Sequence, residues 1–244
     1  MRRRLIKFVP LLALVGMLVA CGGATGSTGT GNTGNAGATA NTSKNTPSTT
    51  GNACTTPPGG NDAFSVVANQ STASYRVQEK FLNRDLPNDA IGKTQNVKGG
   101  FLLTSGSQPA ITAMKISADL STLKSDEDRR DNSIRERWLE SNTYPQATFV
   151  AKDVQTLPAN YSQGQNATFN ITGNLTIHNV TRQETFKVTG KKDGDTISGQ
   201  ATSLIYMKNY GFDAPNIAGI LTVKDGVTVT FDFNAKKGNC DPTV

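Results

Sequence analysis

His178 is the single histidine of the chain, set between Ile177 and Asn179 in what reads as a hairpin turn. A side chain there is expected to be exposed, neither a ligand nor a base. The three cysteines are Cys21, Cys54 and Cys240. The placement of each gives it another role, and one histidine alone cannot assemble a His/Cys zinc site. A Ser-His-Asp triad would have to use His178, and no serine sits in a nucleophile-elbow sequence. No glycine-rich phosphate loop is present. The acidic run Asp126-Glu127-Asp128 is followed at once by Arg129 and Arg130, so charge at a helix start explains it better than a cation site or an acid/base pair. The constellations that catalysis requires are missing, and the chain is not expected to be an enzyme. No metal or organic cofactor is implied.

The cysteines carry the remaining chemistry. Arg2, Arg3, Arg4 and Lys7 make a basic start, and Leu5 to Ala20 is otherwise apolar. That layout is a secretory signal, too short to span a bilayer comfortably. Leu18-Val19-Ala20-Cys21-Gly22 resembles the lipobox of bacterial lipoproteins. The resemblance implies cleavage after Ala20, diacylation of the Cys21 sulfur and a membrane anchor of two chains. Export puts Cys54 and Cys240 where disulfides persist. They flank the patterned region and are expected to pair, stabilising by up to about 5 kcal/mol in the chain-entropy model. The expected location is the extracytoplasmic face of a membrane, at the cell surface or in a periplasm.

The formal charge of +6 belongs mostly to the signal. Setting aside its four basic residues leaves 21 Lys and Arg against 19 Asp and Glu. That balance lacks the clustered basic face of a nucleic-acid binder. Gly22 to Ala53 is almost entirely Gly, Thr, Asn, Ser and Ala, with no aromatic or large aliphatic residue. Such a segment cannot offset the entropy of ordering and reads as a disordered tether with an r.m.s. span of roughly 30 Å. The domains are therefore a signal over 1–20, a lipidated Cys and linker over 21–60, and a folded domain over 61–240.

Something must hold that domain together, and period-two alternation supplies it. Phe169, Ile171, Gly173, Leu175 and Ile177 share one parity, as do Val227, Val229, Phe231 and Phe233, and Glu184, Phe186 and Val188. This is the pattern of strands with one buried face. Strands are predicted at about 64–69, 72–82, 95–104, 110–119, 146–154, 164–178, 181–191, 195–207 and 226–236. Their spacing predicts a sandwich or barrel, and the length of 164–178 favours a barrel. Residues 125–139 break the rhythm and predict a short helix capped by Ser125, with Ile134 and Trp138 on one face and Trp138 pointing inward.

Three stretches together resemble the YceI-like family: Asp119-Leu120-Ser121-Thr122-Leu123-Lys124-Ser125-Asp126 with Arg129-Arg130-Asp131-Asn132; Tyr144-Pro145-Gln146-Ala147-Thr148-Phe149; and Gly173-Asn174-Leu175-Thr176-Ile177-His178-Asn179-Val180-Thr181-Arg182. Weaker similarity runs over Tyr75–Glu79, Ala90–Thr94, Tyr210–Phe212 and Val223–Val227. The resemblance implies an all-β, lipocalin-like antiparallel barrel of about eight strands, with one short helix over about 126–140 at an end. It also implies an ion pair of Asp131 with Arg130 anchoring that helix. Family members hold long-chain lipids such as polyisoprenoids in an elongated apolar cavity. The best-known branch has histidines in its first strands; here the corresponding stretch carries Ser74, Tyr75 and Glu79, so no contact made by those histidines carries over.

The inward parities nominate Phe101, Trp138, Phe149, Phe169, Ile171, Leu175, Phe186, Val188, Phe231 and Phe233 as wall residues. They would line a ligand cavity or simply fill the barrel. The two functions kept in view are a membrane-anchored protein holding an isoprenoid or fatty-acid-like lipid, and a ligand-free surface or stress-associated module with a filled barrel. The expected partners are the lipid ligand and the membrane; a homodimer is left open.

Overall fold

Alternating residues do form strands, and the strands close on themselves. The computed structural model describes residues 61–238 apart from 105, 107 and 159–163. The signal, the linker, Cys21, Cys54 and Cys240 lie outside the described residues. The described residues form twelve strands: β1 Asn61–Val66, β2 Thr72–Phe81, β3 Asn88–Thr94, β4 Val97–Thr104, β5 Ala110–Asp119, β6 Gln146–Ala151, β7 Gln155–Thr156, β8 Ala167–Ile177, β9 Val180–Asp193, β10 Thr196–Tyr206, β11 Asn216–Ile217 and β12 Leu221–Lys237.

The pairings reduce these to an eight-stranded meander. β1 and β2 are two halves of one bent strand, because β1 pairs β4 and β2 pairs β3 in registers that differ by only two residues. β6 and β7 likewise both pair β5. The ring then runs β1/β2, β3/β4, β5, β6/β7, β8, β9, β10, β12, every neighbour antiparallel. It closes where β12 pairs both β2 and β1. Closure removes the open edges that would invite aggregation. β11 sits outside the ring as a short hairpin partner of β12.

Two local features set the registers. His178 and Asn179 both have positive φ (52° and 58°), the type I′ geometry whose twist suits a two-residue hairpin between β8 and β9. Outward threonines then face each other across that hairpin, Thr168 with Thr189, Thr172 with Thr185 and Thr176 with Thr181, at 2.8–3.0 Å.

The helical break falls where expected but differs in detail. Helix α1 spans Asp128–Ser133 and continues as a π-turn over Ile134–Trp138. Its cap is Glu127, whose carboxylate accepts the Arg129 N–H, and not Ser125. Ser125 instead donates its N–H and its hydroxyl to Asp131, six residues on. The whole 120–145 segment connects β5 to β6 and lies across one end of the barrel, which we call the helix end. Asn61 and Lys237 mark the other, terminal end. The core runs from Phe64, stacked on Phe101 at 5.4 Å near the terminal end, to Ile177, Ile205, Met207 and Tyr210 at the helix end.

Candidate ligand cavity

The inward face of the barrel does not meet across the axis. It leaves a cavity of about 650 Å³ whose wall is overwhelmingly apolar. All ten wall residues named from the sequence border it. Phe101 comes from β4, Phe149 from β6, Phe169, Ile171 and Leu175 from β8, Phe186 and Val188 from β9, Phe231 and Phe233 from β12, and Trp138 from the π-turn.

The rings lie along the wall. Phe149 and Phe186 meet edge to face at 5.0 Å, and Phe231 stacks on Phe233 at 5.7 Å. Gly173 makes the first arrangement feasible: a Cβ there would stand 2.6 Å from both Phe149 Cζ and the Val150 carbonyl. Gly92 does the same for Tyr75, whose ring occupies the space a side chain would need.

The connecting segment that carries Trp138 is fastened on two sides. On one side Arg130 makes a bidentate pair with Glu79 of β2, both bonds 2.9 Å, with side chains only 14% and 5% exposed. The remaining guanidinium nitrogen donates to Ser125 and Asp126. Burial opposes the charge on Arg130, but the hydrogen bonds and charges of Glu79 and Asp126 outweigh it and hold its pKa above the usual guanidinium value. The expected Arg130–Asp131 pair is therefore replaced: Arg130 reaches β2, and Asp131 is taken by Ser125. Asp126 is held below its ordinary carboxylate value, chiefly by the hydrogen bond from Arg130. Burial pushes the nearby Tyr75 hydroxyl up to about 12, with Arg130 working the other way.

On the other side, His178 Nε2 lies 3.0 Å from Glu140 Oε2, and its ring packs edge-on to Tyr144 at 4.2 Å and to Phe212 at 5.6 Å. His178 is thus a turn residue, as expected, but not an exposed one: its side chain is 14% accessible. Its neighbours come from distant segments that no local spacing connects. Glu79 was likewise missed as an anchoring residue. Its inward parity with Tyr75 and Val77 was a signal that it had to be neutralised from across the barrel.

Among the described residues no group of three or more His, Cys, Asp or Glu side chains is placed to hold a metal. Nor is any helix among them long and apolar enough to cross a membrane.

Residues 64–235 match the YceI-like domain. The chain belongs to the YceI-like family. A UPF0312 protein of Pseudomonas putida is 36% identical over 112 residues, 42% of this chain and 55% of the relative, so the chain spans about half the length of the curated relatives it matches. Among solved structures, a polyisoprenoid-binding domain from Saccharophagus degradans, implicated in plant cell wall breakdown, superposes with a TM-score of 0.54. It is 18% identical, and the match covers 72% of this chain and 98% of that one. BcnA of Burkholderia cenocepacia matches with a TM-score of 0.48 at 20% identity, over 70% of this chain and 99% of that one. The residues that match the family are those of the closed barrel, and the cavity described above is its interior.

Proposed function

We propose that this YceI-like protein is a membrane-anchored binding protein that holds a long-chain amphiphile, isoprenoid or fatty-acid-like, inside the barrel. The observation that carries this is the continuous apolar cavity of about 650 Å³. Its volume lies within the few hundred to a thousand Å³ of small-molecule sites. At about 30 Å³ per water-sized group it has room for roughly 20 carbons. A lipid is the apt occupant because the wall offers burial and few polar contacts, and burial is worth about 0.8 kcal/mol per methylene.

The cavity is not sealed from solvent, so without a ligand its apolar wall meets water, and a lipid chain that fills it removes that surface from water. A filled-barrel module would leave the hollow without a use. The binding domain of Saccharophagus degradans, whose ligand class is polyisoprenoid, lends the same support through its fold.

Anchoring through a diacylated Cys21 and a Cys54–Cys240 disulfide complete the proposal. Both rest on the lipobox-like signal and on the positions of the cysteines. The reading as a binder and not a catalyst rests on the missing acid/base and nucleophile constellations.

The test is to purify the protein natively, extract it with organic solvent and weigh what comes out. A stoichiometric long-chain lipid is expected. A clean extract, together with no uptake of a fluorescent fatty acid, would sink the carrier reading. Intact mass before and after reduction tests the disulfide, and a mass increase at Cys21 tests the anchor.

A further inference from the structure

Seven of the eight most exposed large hydrophobic side chains among the described residues fall on one sector of the barrel; only Val154 lies elsewhere. Single exposed apolar residues are ordinary on a protein surface, but a contiguous set is not. The sector is the run of neighbouring strands β10, β12, β2 and β3 at the helix end. Leu82 and Leu86 stand 75% and 78% exposed on the β2–β3 turn, and Ile220 stands 59% exposed on the β11–β12 hairpin beside Ile217. The two hairpins are joined, since the Leu82 N–H donates to the Ile220 carbonyl at 3.0 Å. On the outer wall below, Leu204 and Ile91 flank Thr228 and the ion pair of Arg76 with Asp89, so the apolar patch is confined to the two hairpin tips, with Arg84 and Asp85 between Leu82 and Leu86.

This patch is also the rim of the cavity. Phe81, Ile217 and Ile220 border the cavity, and Ile217 and Ile220 are at the same time exposed. An apolar path therefore runs from the outer tips of the hairpins into the lumen. β12 projects five residues beyond its last pair with β10, so the β11–β12 hairpin passes the end of β10 while Leu221–Val223 stay paired with β2. No charged residue occurs from Asn216 to Val223.

We propose that this rim docks on the surface of a lipid bilayer, so that the cavity mouth opens onto hydrocarbon and a lipid passes between membrane and barrel without crossing water. The proposal rests on the cavity holding a lipid. The chain outside the barrel permits it. The barrel begins at Asn61, at the end opposite the rim, and 40 residues separate that point from the expected anchor, counting Cys21. Drawn out, 40 residues reach about 130 Å. The 17 residues of β12, the longest strand, span at most about 56 Å. A barrel tethered at its terminal end can therefore turn its rim to the same membrane. A second copy of the chain seated on this rim would instead cover the mouth.

The experiment uses residues 21–244 with Cys21→Ser, so that no acyl chain contributes, and neutral phosphatidylcholine vesicles. Hydrogen exchange is expected to slow at 82–87 and 216–221 when vesicles are added and to stay unchanged at the β9–β10 turn, which lies at the terminal end. Leu82→Asp with Leu86→Asp, neither of which borders the cavity, is expected to lower co-sedimentation with vesicles on the order of tenfold. Both side chains are exposed, so the far-UV circular dichroism of the double variant should match the wild type. Uptake of monomeric cis-parinaric acid should also match. Vesicles that protect neither hairpin, or a double variant that sediments like the wild type, would overturn the proposal. So would protection of the hairpins by raised protein concentration alone, with dimers in analytical ultracentrifugation, which would assign the rim to a second copy. Failure of the wild type to take up cis-parinaric acid strikes at the carrier reading instead, and vesicle partition still scores the docking.

Discussion

Removing Arg130 should loosen the segment that roofs the cavity, and restoring an apolar match should recover much of the loss. In Arg130→Met the Glu79 carboxylate, 5% exposed, loses both of its 2.9 Å bonds and remains as a buried charge without its partner. Breaking one side of a buried pair typically costs about 3–5 kcal/mol. With a urea m-value of about 2 kcal/mol/M, the midpoint should fall by about 2 M. In Glu79→Leu with Arg130→Met no buried charge is left. The other partners of Arg130 do not suffer, because Asp126 is largely exposed and Ser125 keeps its bond to Asp131. Such apolar replacement of a buried pair is often neutral or stabilising, so the double variant should sit within about 1 kcal/mol of wild type. Trp138, the single tryptophan, belongs to the same segment and lines the cavity, so its fluorescence reports the roof while far-UV circular dichroism reports the barrel. In Arg130→Met the fluorescence transition should precede the dichroism transition. A loss under about 1 kcal/mol in Arg130→Met, or a double variant no better than the single one, would refute the idea that this pair anchors the roof.

Further expectations follow from the wall and its titrating groups. Gly173→Ala places a Cβ 2.6 Å from Phe149 Cζ and the Val150 carbonyl, and should cost about 1–3 kcal/mol in a denaturant melt. The neutral form of Tyr75 is favoured in the fold, with its pKa raised to about 12, so its contribution is complete below pH 10 and is lost as pH rises from 10 towards 12. Tyr75→Phe should flatten that alkaline decline, as followed by melting at stepped pH; an unchanged slope would remove Tyr75 as its source. A ladder of fatty acids should gain affinity about fourfold per added methylene and level off near roughly 20 carbons, measured through Trp138 fluorescence. Ala201→Phe, on the cavity wall, should move that plateau to shorter chains without lowering the melting temperature.

The strands were legible because one face of each is apolar, and the parity read from Phe169 to Ile177 or from Val227 to Phe233 is the parity that borders the lumen. β3 escaped for the complementary reason. Its inward residues, Ala90, Gly92 and Thr94, are all small, with the Tyr75 ring lying over Gly92, while its largest apolar residue, Ile91, faces out. Alternation is inverted there and reads as a loop. The helix was visible, but its cap was not. Ser125 is a better cap by type than Glu127, but a cap works through its acceptor oxygen, and the Ser125 hydroxyl oxygen accepts from the Glu127 N–H and from Arg130 instead. The pairings that fasten the roof were illegible for a different reason. Arg130 and Glu79 lie 51 residues apart, and His178 and Glu140 lie 38 apart, so only the closed barrel brings them together.

Parity tells which side chains face inward but not whether they meet. Eight strands can be filled by side chains or can enclose one ligand, and inward volume decides between the two. The phenylalanines alone would favour a filled core. Two features hold the barrel open. The rings pair with wall neighbours, Phe149 with Phe186 and Phe231 with Phe233, so their breadth lies along the wall instead of spanning the lumen. Between them the wall carries Ala73, Ala118, Ala147 and Ala201, which are too short to reach across. Gly173 and Gly92 contribute by letting Phe149 and Tyr75 lie back into the sheet. The hollow therefore follows from where the small residues stand relative to the aromatic ones across neighbouring strands. That relation exists only once the registers are set, which is why an inward-facing pattern fits a packed core and a lipid cavity equally well until the barrel is closed.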